Sequence, residues 1–290
     1  MDEIIAISRA RKLLKDVGIT EAPIDVDSLA LSLGFKVSRQ DLPDGEAGST
    51  FVRRGQKHIL VNQKDGINRQ RFTILHEIAH HVLQLPSKHE GSLPSDELEC
   101  FKSRPEEEIF CDIFAAECLV PWQLIHPLAI QDNFTHANLS MLSAYFQASR
   151  SCVASRLAQA SNDHLAFVVA EDGVIQYTIT SKGLREAKIW IPKGIKLPRN
   201  SAATKAMELL SEQVVTSELD GLDWSRSDEA KRFVCYEEAT YYTPTQQTQS
   251  IIVFEEVELQ SPSKGYRQSH SEDDDLLEEL TGYPGWSKYR

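Results

Sequence analysis

The chain has 290 residues, of which 41% are hydrophobic and 26% are charged. This balance is typical of a folded globular protein and excludes a disordered one. Its 43 acidic residues outnumber the 31 lysines and arginines, which gives a formal charge of −12 at pH 7. Phosphate contacts require a basic surface, so the charge disfavours a general nucleic-acid or anionic-membrane binder.

The sequence contains no signal for the membrane or for secretion. No apolar run approaches the roughly 20 residues that a membrane-spanning helix requires, and the first residues, MDEIIAISRARKLLKDVG, lack the regions of a secretory signal. The 5 cysteines form no C-x-x-C pair and are odd in number, which is typical of reduced thiols. We therefore expect a cytoplasmic protein that does not enter the membrane.

The N-terminal segment predicts two helices followed by three short strands. Apolar residues at helical spacing indicate a helix over Ile4–Val17, which Gly18 ends. Asp25 is the expected cap of a second helix, Val26–Leu33. The predicted strands are Phe35–Ser38, Thr50–Arg53 and His58–Asn62, with a hairpin turn between the last two.

From Arg69 onward the apolar period becomes helical, and after Asn162 it becomes that of strands. The predicted helices are Arg69 to about Pro86, Glu106–Leu119, Pro121–Leu128 and Leu139–Ala160, with a polar loop at Ser87–Arg104. The predicted strands are His164–Ala170, Gly173–Thr180, Ala187–Ile191, Arg232–Thr243 and Ser250–Glu258, with one helix at Ser201–Gln213.

This order of elements predicts an α+β fold with several parts. We expect a mainly helical core with a small sheet at 1–130 and a helix-turn-helix-like segment at 131–162. A separate α+β domain at 163–260 and an acidic tail at 261–290 complete the predicted organisation.

The most informative segment is RFTILHEIAHHVL, which contains an H-E-x-x-H motif on a predicted helix. His76 and His80 are one turn apart on the same face, so both imidazoles can bind one Zn²⁺ ion. Glu77 is placed to take a proton from a zinc-bound water, whose pKa the metal lowers. The alternative is a surface helix that is rich in His and Glu.

A third protein ligand is expected on the next helix, because a catalytic zinc takes three and keeps one position for water. Glu108 is followed at i+4 by Asp112, so Glu108 can bind the ion while Asp112 orients a ligand imidazole. Glu106 and Glu107 are rivals, although acidic residues are also common at a solvated helix start. We select Glu108, because it lies near the face of the helix that carries Ala115, and we expect that face to pack on the core.

These segments resemble the ImmA/IrrE family of bacterial and phage zinc metallopeptidases. The resemblance rests on ILVN and RQRFTILHEIAHHVL followed by an E-x-x-x-D helix that ends in FAAECLVP, and it covers about residues 1–160. It implies a zincin-like peptidase core with one zinc ion per chain, His76, His80 and Glu108 as ligands, and Glu77 as the catalytic acid/base. Some proteins that resemble this family carry an additional sensor-like domain, and by analogy alone we expect a sensory or regulatory C-terminal domain.

Cys111 departs from the family pattern, in which a small residue such as alanine is usual. At i+3 from Glu108 it can face the metal and make the site sensitive to oxidation or to a soft metal. The alternative, which we prefer at this point, is a buried structural cysteine. His81 and His89 are expected to be solvated.

A second pattern, NLSMLSAYFQASRSCVASRLAQA, indicates two helices that a polar turn at Gln147–Ser149 separates. As a DNA-binding motif it would place Arg150 and Arg156 in the major groove. The segment has no other basic residue, and we favour a helical hairpin that packs on the core.

The preferred interpretation is a zinc endopeptidase. The resemblance implies a narrow protein substrate, typically a helix-turn-helix repressor cleaved in stress or mobile-element regulation. The substrate is expected to pair with the edge of the sheet made by Phe51–Arg53 and His58–Asn62. The alternative is a non-catalytic regulator, DNA-binding protein or adaptor with a structural or vestigial zinc site, although direct DNA binding is disfavoured.

Overall fold

A computed structural model describes residues 2–43, 45–86, 105–131 and 134–257. The predicted loop Ser87–Arg104, with His89, and the predicted tail at 261–290 lie outside the described residues. The helices are α1 (Glu3–Val17), α2 (Val26–Ser32), α3 (Ile67–Val82), α4 (Glu106–Leu119), α5 (Trp122–Gln131), α6 (His136–Phe146), α7 (Arg150–Ala160), α8 (Lys182–Glu186), α9 (Ala202–Leu209) and α10 (Gly221–Trp224). The strands are β1 (Phe35–Gln40), β2 (Gly48–Arg53), β3 (Gln56–Asn62), β4 (Leu165–Glu171), β5 (Val174–Thr180), β6 (Val215–Asp220), β7 (Phe233–Tyr242) and β8 (Gln247–Glu256).

Local signals fix the two N-terminal helices. The α1 helix ends at Gly18, whose φ of 75° is a left-handed conformation that glycine adopts without strain. The Oδ1 atom of Asp25 accepts a hydrogen bond of 3.0 Å from the Ser28 N–H and caps α2. Both features agree with the sequence-based prediction.

The first sheet has the order β1-β3-β2, so that β2 is an edge strand. β3 is parallel to β1 and antiparallel to β2. Ile59 and Val61 of β3 are fully buried. Gly48, the first residue of β2, lies so close to Thr73 of α3 that a Cβ atom would not fit between them. The edge strand therefore runs close to the helix that carries the H-E-x-x-H motif.

The helices α6 and α7 form the predicted hairpin. Gln147 ends α6 in a left-handed conformation, and the Ser149 hydroxyl caps α7 by accepting a hydrogen bond from the Cys152 N–H. Arg156 points into the molecule, where its Nε donates a hydrogen bond of 3.0 Å to the Val120 carbonyl. Its guanidinium also forms an ion pair with Glu117 of α4. These contacts attach the hairpin to the helical core.

The second sheet has five antiparallel strands in the order β5-β4-β8-β7-β6. One face contributes Phe167, Val169, Tyr177 and Ile251 to the same apolar cluster as the N-terminal helices. The other face packs with α8, α9 and Trp224 in a second cluster. This architecture confirms the predicted α+β fold class. The predicted domain boundaries at 130, 162 and 260 remain predictions.

Two sequence-based assignments in the second half need correction. Ala187–Ile191, predicted as a strand, is an irregular segment that begins at the C-cap of α8. Ile189 and Ile191 are buried there while Trp190 is 52% exposed, so this irregular segment alternates in burial as a strand does. β6 was not predicted, because its sequence VTSELD is mostly polar and it lies at the edge of the sheet.

Within the described ranges, no single helix is long and apolar enough to cross a membrane. The consecutive helices α4 and α5 meet the length and composition criteria only as a pair that is bent by 71°.

Candidate metal centre

The α3 helix holds the three motif residues in the interior of the protein. Its apolar residues Ile74, Leu75, Ile78 and Ala79 are fully buried. His76, Glu77 and His80 are buried as well, so the helix is enclosed on all sides over this stretch. A helix packed in this way leaves its ligand side chains little freedom, which favours a preorganised site.

The neighbouring helix α4 supplies acidic residues from the side that faces α3. Glu108 is only 8% exposed and Asp112 only 5% exposed. Glu106 is exposed and Glu107 is intermediate, which is the usual environment of acidic residues in a first helical turn. Of the three consecutive glutamates, Glu108 is therefore the one that lies at the buried site.

Three side chains meet at one point between α3 and α4. His76 Nε2 lies 3.1 Å from Glu108 Oε2, and His80 Nε2 lies 3.6 Å from Glu108 Oε1. The two Nε2 atoms lie 3.2 Å apart. Donors placed tetrahedrally at zinc distances of about 2.0–2.2 Å are separated by about 3.3–3.6 Å. The separations in this cluster therefore fit one common ion of that size.

Asp112 determines how the His76 ring is oriented. Its Oδ1 atom lies 2.8 Å from His76 Nδ1, which donates the hydrogen bond. The contact fixes the ring so that Nε2 points towards Glu108 and His80. A carboxylate in this position is the usual partner of a metal-binding histidine, because it sets the tautomer and increases the basicity of the ligand nitrogen.

The electrostatics of the cluster favour positive charge. Burial lowers the pKa of His76, but hydrogen bonds to Asp112 and Glu108 outweigh it and raise the pKa to about 10. Burial likewise raises the pKa of Glu108, and its hydrogen bonds to both imidazoles outweigh this and hold the pKa far below its usual range. The carboxylates of Asp112 and Glu108 thus stabilise the proton on His76. A divalent cation bound between these side chains would replace that proton.

Cys111 also lies near the imidazole pair. Its Sγ atom and one ring nitrogen each of His76 and His80 all lie within 4.8 Å of one another. The side chain is fully buried. The i+3 spacing from Glu108 is the sequence signal for this proximity, although the sequence alone favours a buried structural cysteine. The three residues form a buried cluster with the chemistry of a metal site.

Glu77 lies beside His76 on α3, and its charge contributes to the raised pKa of that histidine. Its assignment as catalytic acid/base remains a prediction, as do the assignments of the other site residues.

His81 lies outside this cluster and points towards Lys57 and the Phe35 ring. Burial, and then the charge of Lys57, lower the pKa of His81.

The two arginines of the helix-turn-helix-like segment make internal contacts. Arg156 is only 2% exposed and forms an ion pair with Glu117. Arg150 donates hydrogen bonds to Gln249 Oε1 at 3.3 Å and Ser140 Oγ at 2.6 Å, and its guanidinium lies 5.2 Å from the centre of the Tyr242 ring. The described contacts of both side chains are thus with the protein itself.

Comparison with known proteins gives a family match that includes the residues of this cluster. Residues 30–158 match the model of the IrrE N-terminal-like domain, the peptidase M78 family, over less than half of the chain. No curated protein matches this chain. Among solved structures, a Mycobacterium tuberculosis transcriptional regulator is similar, with a TM-score of 0.57 and 13% identity over 86% of this chain and 76% of that one. This is a likeness of fold, and it extends well beyond the matched domain.

Proposed function

We propose that this protein is a zinc-dependent endopeptidase, because its residues 30–158 match the model of the IrrE N-terminal-like domain, the peptidase M78 family. His76, His80 and Glu108 would hold the ion, and Glu77 would be the general base. The observation that carries the proposal is the convergence of these two imidazoles and one carboxylate, whose donor atoms are 3.1–3.6 Å apart. Nitrogen and carboxylate donors in this number are typical of catalytic zinc.

A bound zinc ion supplies Lewis acidity, which activates water at neutral pH and polarises a carbonyl group. The residues of the chain supply the rest. Glu77 would accept a proton from the attacking water at a carboxylate oxygen and deliver it to the departing amine nitrogen. Asp112 would hold His76 in position through its hydrogen bond of 2.8 Å. The buried side chains of α3 and α4 would limit the access of other water molecules to the site.

The edge strand β2 is the proposed binding site for the substrate backbone. It begins against Thr73, which lies one turn before His76 and Glu77 on α3. Its residues Phe51 and Val52 are 40% and 69% exposed. An extended peptide that pairs with this edge would add a strand to the sheet and pass close to the motif helix.

For the substrate we propose a helix-turn-helix transcriptional repressor, the class that the ImmA/IrrE resemblance implies. Cleavage of such a protein would release the genes that it represses in stress or mobile-element regulation. One similar solved structure is a transcriptional regulator, which is compatible with a role in gene control.

The second candidate is a regulator that does not cleave peptides and uses the metal site for structure. The similarity to a transcriptional regulator favours it. The internal contacts of Arg150 and Arg156 disfavour direct DNA binding by the hairpin. A purely structural metal site also needs no buried glutamate at the position of Glu77. We therefore retain the peptidase as the first proposal.

The test is a cleavage assay with purified, zinc-loaded protein and repressors encoded beside its gene. We expect fragments with the wild type and none with Glu77→Gln, since the amide cannot accept the proton. Both proteins should contain the same amount of metal. Equal cleavage by the two would move the general base elsewhere. No cleavage of any repressor, with metal bound in both, would favour the non-catalytic regulator.

A further inference from the structure

Glu108 and Cys111, both on α4, each lie near both imidazoles of the pair His76 and His80. Glu108 Oε2 and Oε1 lie 3.1 and 3.6 Å from the Nε2 atoms of His76 and His80. The Cys111 Sγ atom lies within 4.8 Å of a ring nitrogen of each histidine. Residues at i and i+3 share one face of a helix, so the side chains of Glu108 and Cys111 both face the imidazole pair.

The environment distinguishes this thiol from its neighbours. Cys118, farther along α4, and Cys152 on α7 are buried as well. Neither belongs to a cluster with histidines in the described part of the chain. Among the four cysteines that the structure describes, Cys111 is thus the one that lies near two histidines.

We propose that Cys111 is a fourth protein ligand of the metal ion, together with His76, His80 and Glu108. A fourth ligand would occupy the position that a catalytic zinc keeps open for water. The enzyme would then rest in a closed state until a bound substrate displaces the thiolate from the ion. This inference rests on the proposed function, since it assumes that the same three residues bind the metal.

The coordination step is balanced by one proton. The Sγ–H bond breaks, a bond between Sγ and the ion forms, and the proton passes to the solvent. No oxidant or reductant takes part. A thiolate is a soft ligand, so its presence also shifts the preference of the site towards soft ions such as cadmium relative to magnesium or manganese.

Cobalt(II) is a suitable probe, because a cobalt ion bound to a thiolate has a charge-transfer absorption in the near ultraviolet. We expect this band in the cobalt-loaded wild type together with the weaker visible bands of the ion. Cys111→Ala should lose the near-ultraviolet band and keep the visible bands. Cys118→Ala, a buried cysteine of the same helix, is the matched control and should keep both.

The outcomes separate this inference from the proposed function. Visible bands without the charge-transfer band in the wild type, or a band that persists in Cys111→Ala, would overturn the role of Cys111 and leave the peptidase proposal intact. If the wild type binds no cobalt, both fail. Cys111→Ser, which is closer in shape, should show the same loss of the band if the alanine variant does not fold.

Azide tests the closed position directly. A small anion replaces a bound water more readily than a protein ligand, so azide should change the visible cobalt spectrum of Cys111→Ala and leave that of the wild type unchanged. An equal change in both proteins would show an open position in the wild type, and the proposal of a closed resting state would be wrong.

Discussion

Asp112 Oδ1 lies 2.8 Å from His76 Nδ1, and this contact turns the opposite nitrogen of the ring towards Glu108 and His80. Both residues of the pair are buried. The hydrogen bond crosses from α4 to α3, so it also fixes the two helices relative to one another at the site. An interaction of this kind acts on metal affinity without contact to the ion.

The first prediction follows from this pair. Asp112→Ala should weaken zinc binding by roughly 10- to 100-fold, because the His76 ring loses the group that orients it. Asp112→Asn, which keeps an acceptor, should be affected less. Competition with a chelator measures the affinity. Glu106→Ala, on the exposed side of the same helix, is the control and should bind zinc as the wild type does. Unchanged affinity in Asp112→Ala would remove Asp112 from the site.

A second prediction concerns the ion pair of Arg156 with Glu117, both of which are buried. Arg156→Ala should destabilise the fold by up to about 3–5 kcal/mol, because it leaves part of a buried charge uncompensated. Arg11, whose Nε lies 2.9 Å from Glu117 Oε1, will offset some of this loss. Arg150→Ala, in the same hairpin, should have a smaller effect. Urea denaturation of both variants makes the comparison, and the reverse order of stability would contradict it.

The third prediction is a pH dependence of the metal-free protein. The pKa of His76 is about 10 in the folded state and about 6.5 in an unfolded chain. Its stabilising contribution is therefore complete below about pH 6.5 and is lost as the pH rises through about 10. Thermal denaturation with a chelator should show a midpoint that falls over this interval.

Two controls define that measurement. Zinc replaces the proton, so the loaded protein should not show the same fall. The metal-free His76→Ala variant should also lack the part of the fall in midpoint that arises from the loss of the His76 proton. A chelated wild type whose midpoint stays constant from about pH 6.5 to about 10 would contradict the assigned surroundings of His76.

A fourth prediction tests the edge of β2. The Asn62 N–H donates to the Ala47 carbonyl at 2.8 Å, so alternate residues pair with β3 and the N–H of Val52 points away from it. Val52→Pro removes this outward donor. For a substrate found in the cleavage assay, kcat/KM should fall by about 2- to 10-fold, the value of one hydrogen bond.

Val52→Thr keeps the N–H and is the matched control for the proline variant. It should cleave the substrate as the wild type does, and both variants should retain zinc. Full activity of Val52→Pro would place the substrate backbone on another surface.

The local parts of this structure were predictable from the sequence. The cap at Asp25, the stop at Gly18 and the helical period around His76 each depend on neighbours in the chain, and all appear as predicted. The buried position of Glu108 followed from its spacing to Asp112 and Ala115 on one helix.

The remaining features depend on contacts between distant elements. The approach of Cys111 to His76 and His80 results from the packing of α4 against α3, which the helical spacing permitted but did not determine. From the sequence alone, Arg156 could face a DNA groove. Its partners in the structure, Glu117 and the Val120 carbonyl, belong to other elements, so the local sequence does not reveal them. Ile189 and Ile191 alternate as strand residues do, although they are buried from an irregular segment.

Metal analysis of protein purified without chelator tests the central claim most directly. We expect one divalent ion per chain in the wild type, and its loss in His76→Ala and in Glu108→Ala. Glu107→Ala, one residue away and less buried, should keep the ion. A full complement of metal in His76→Ala, or loss of metal in Glu107→Ala but not in Glu108→Ala, would contradict the site described between α3 and α4.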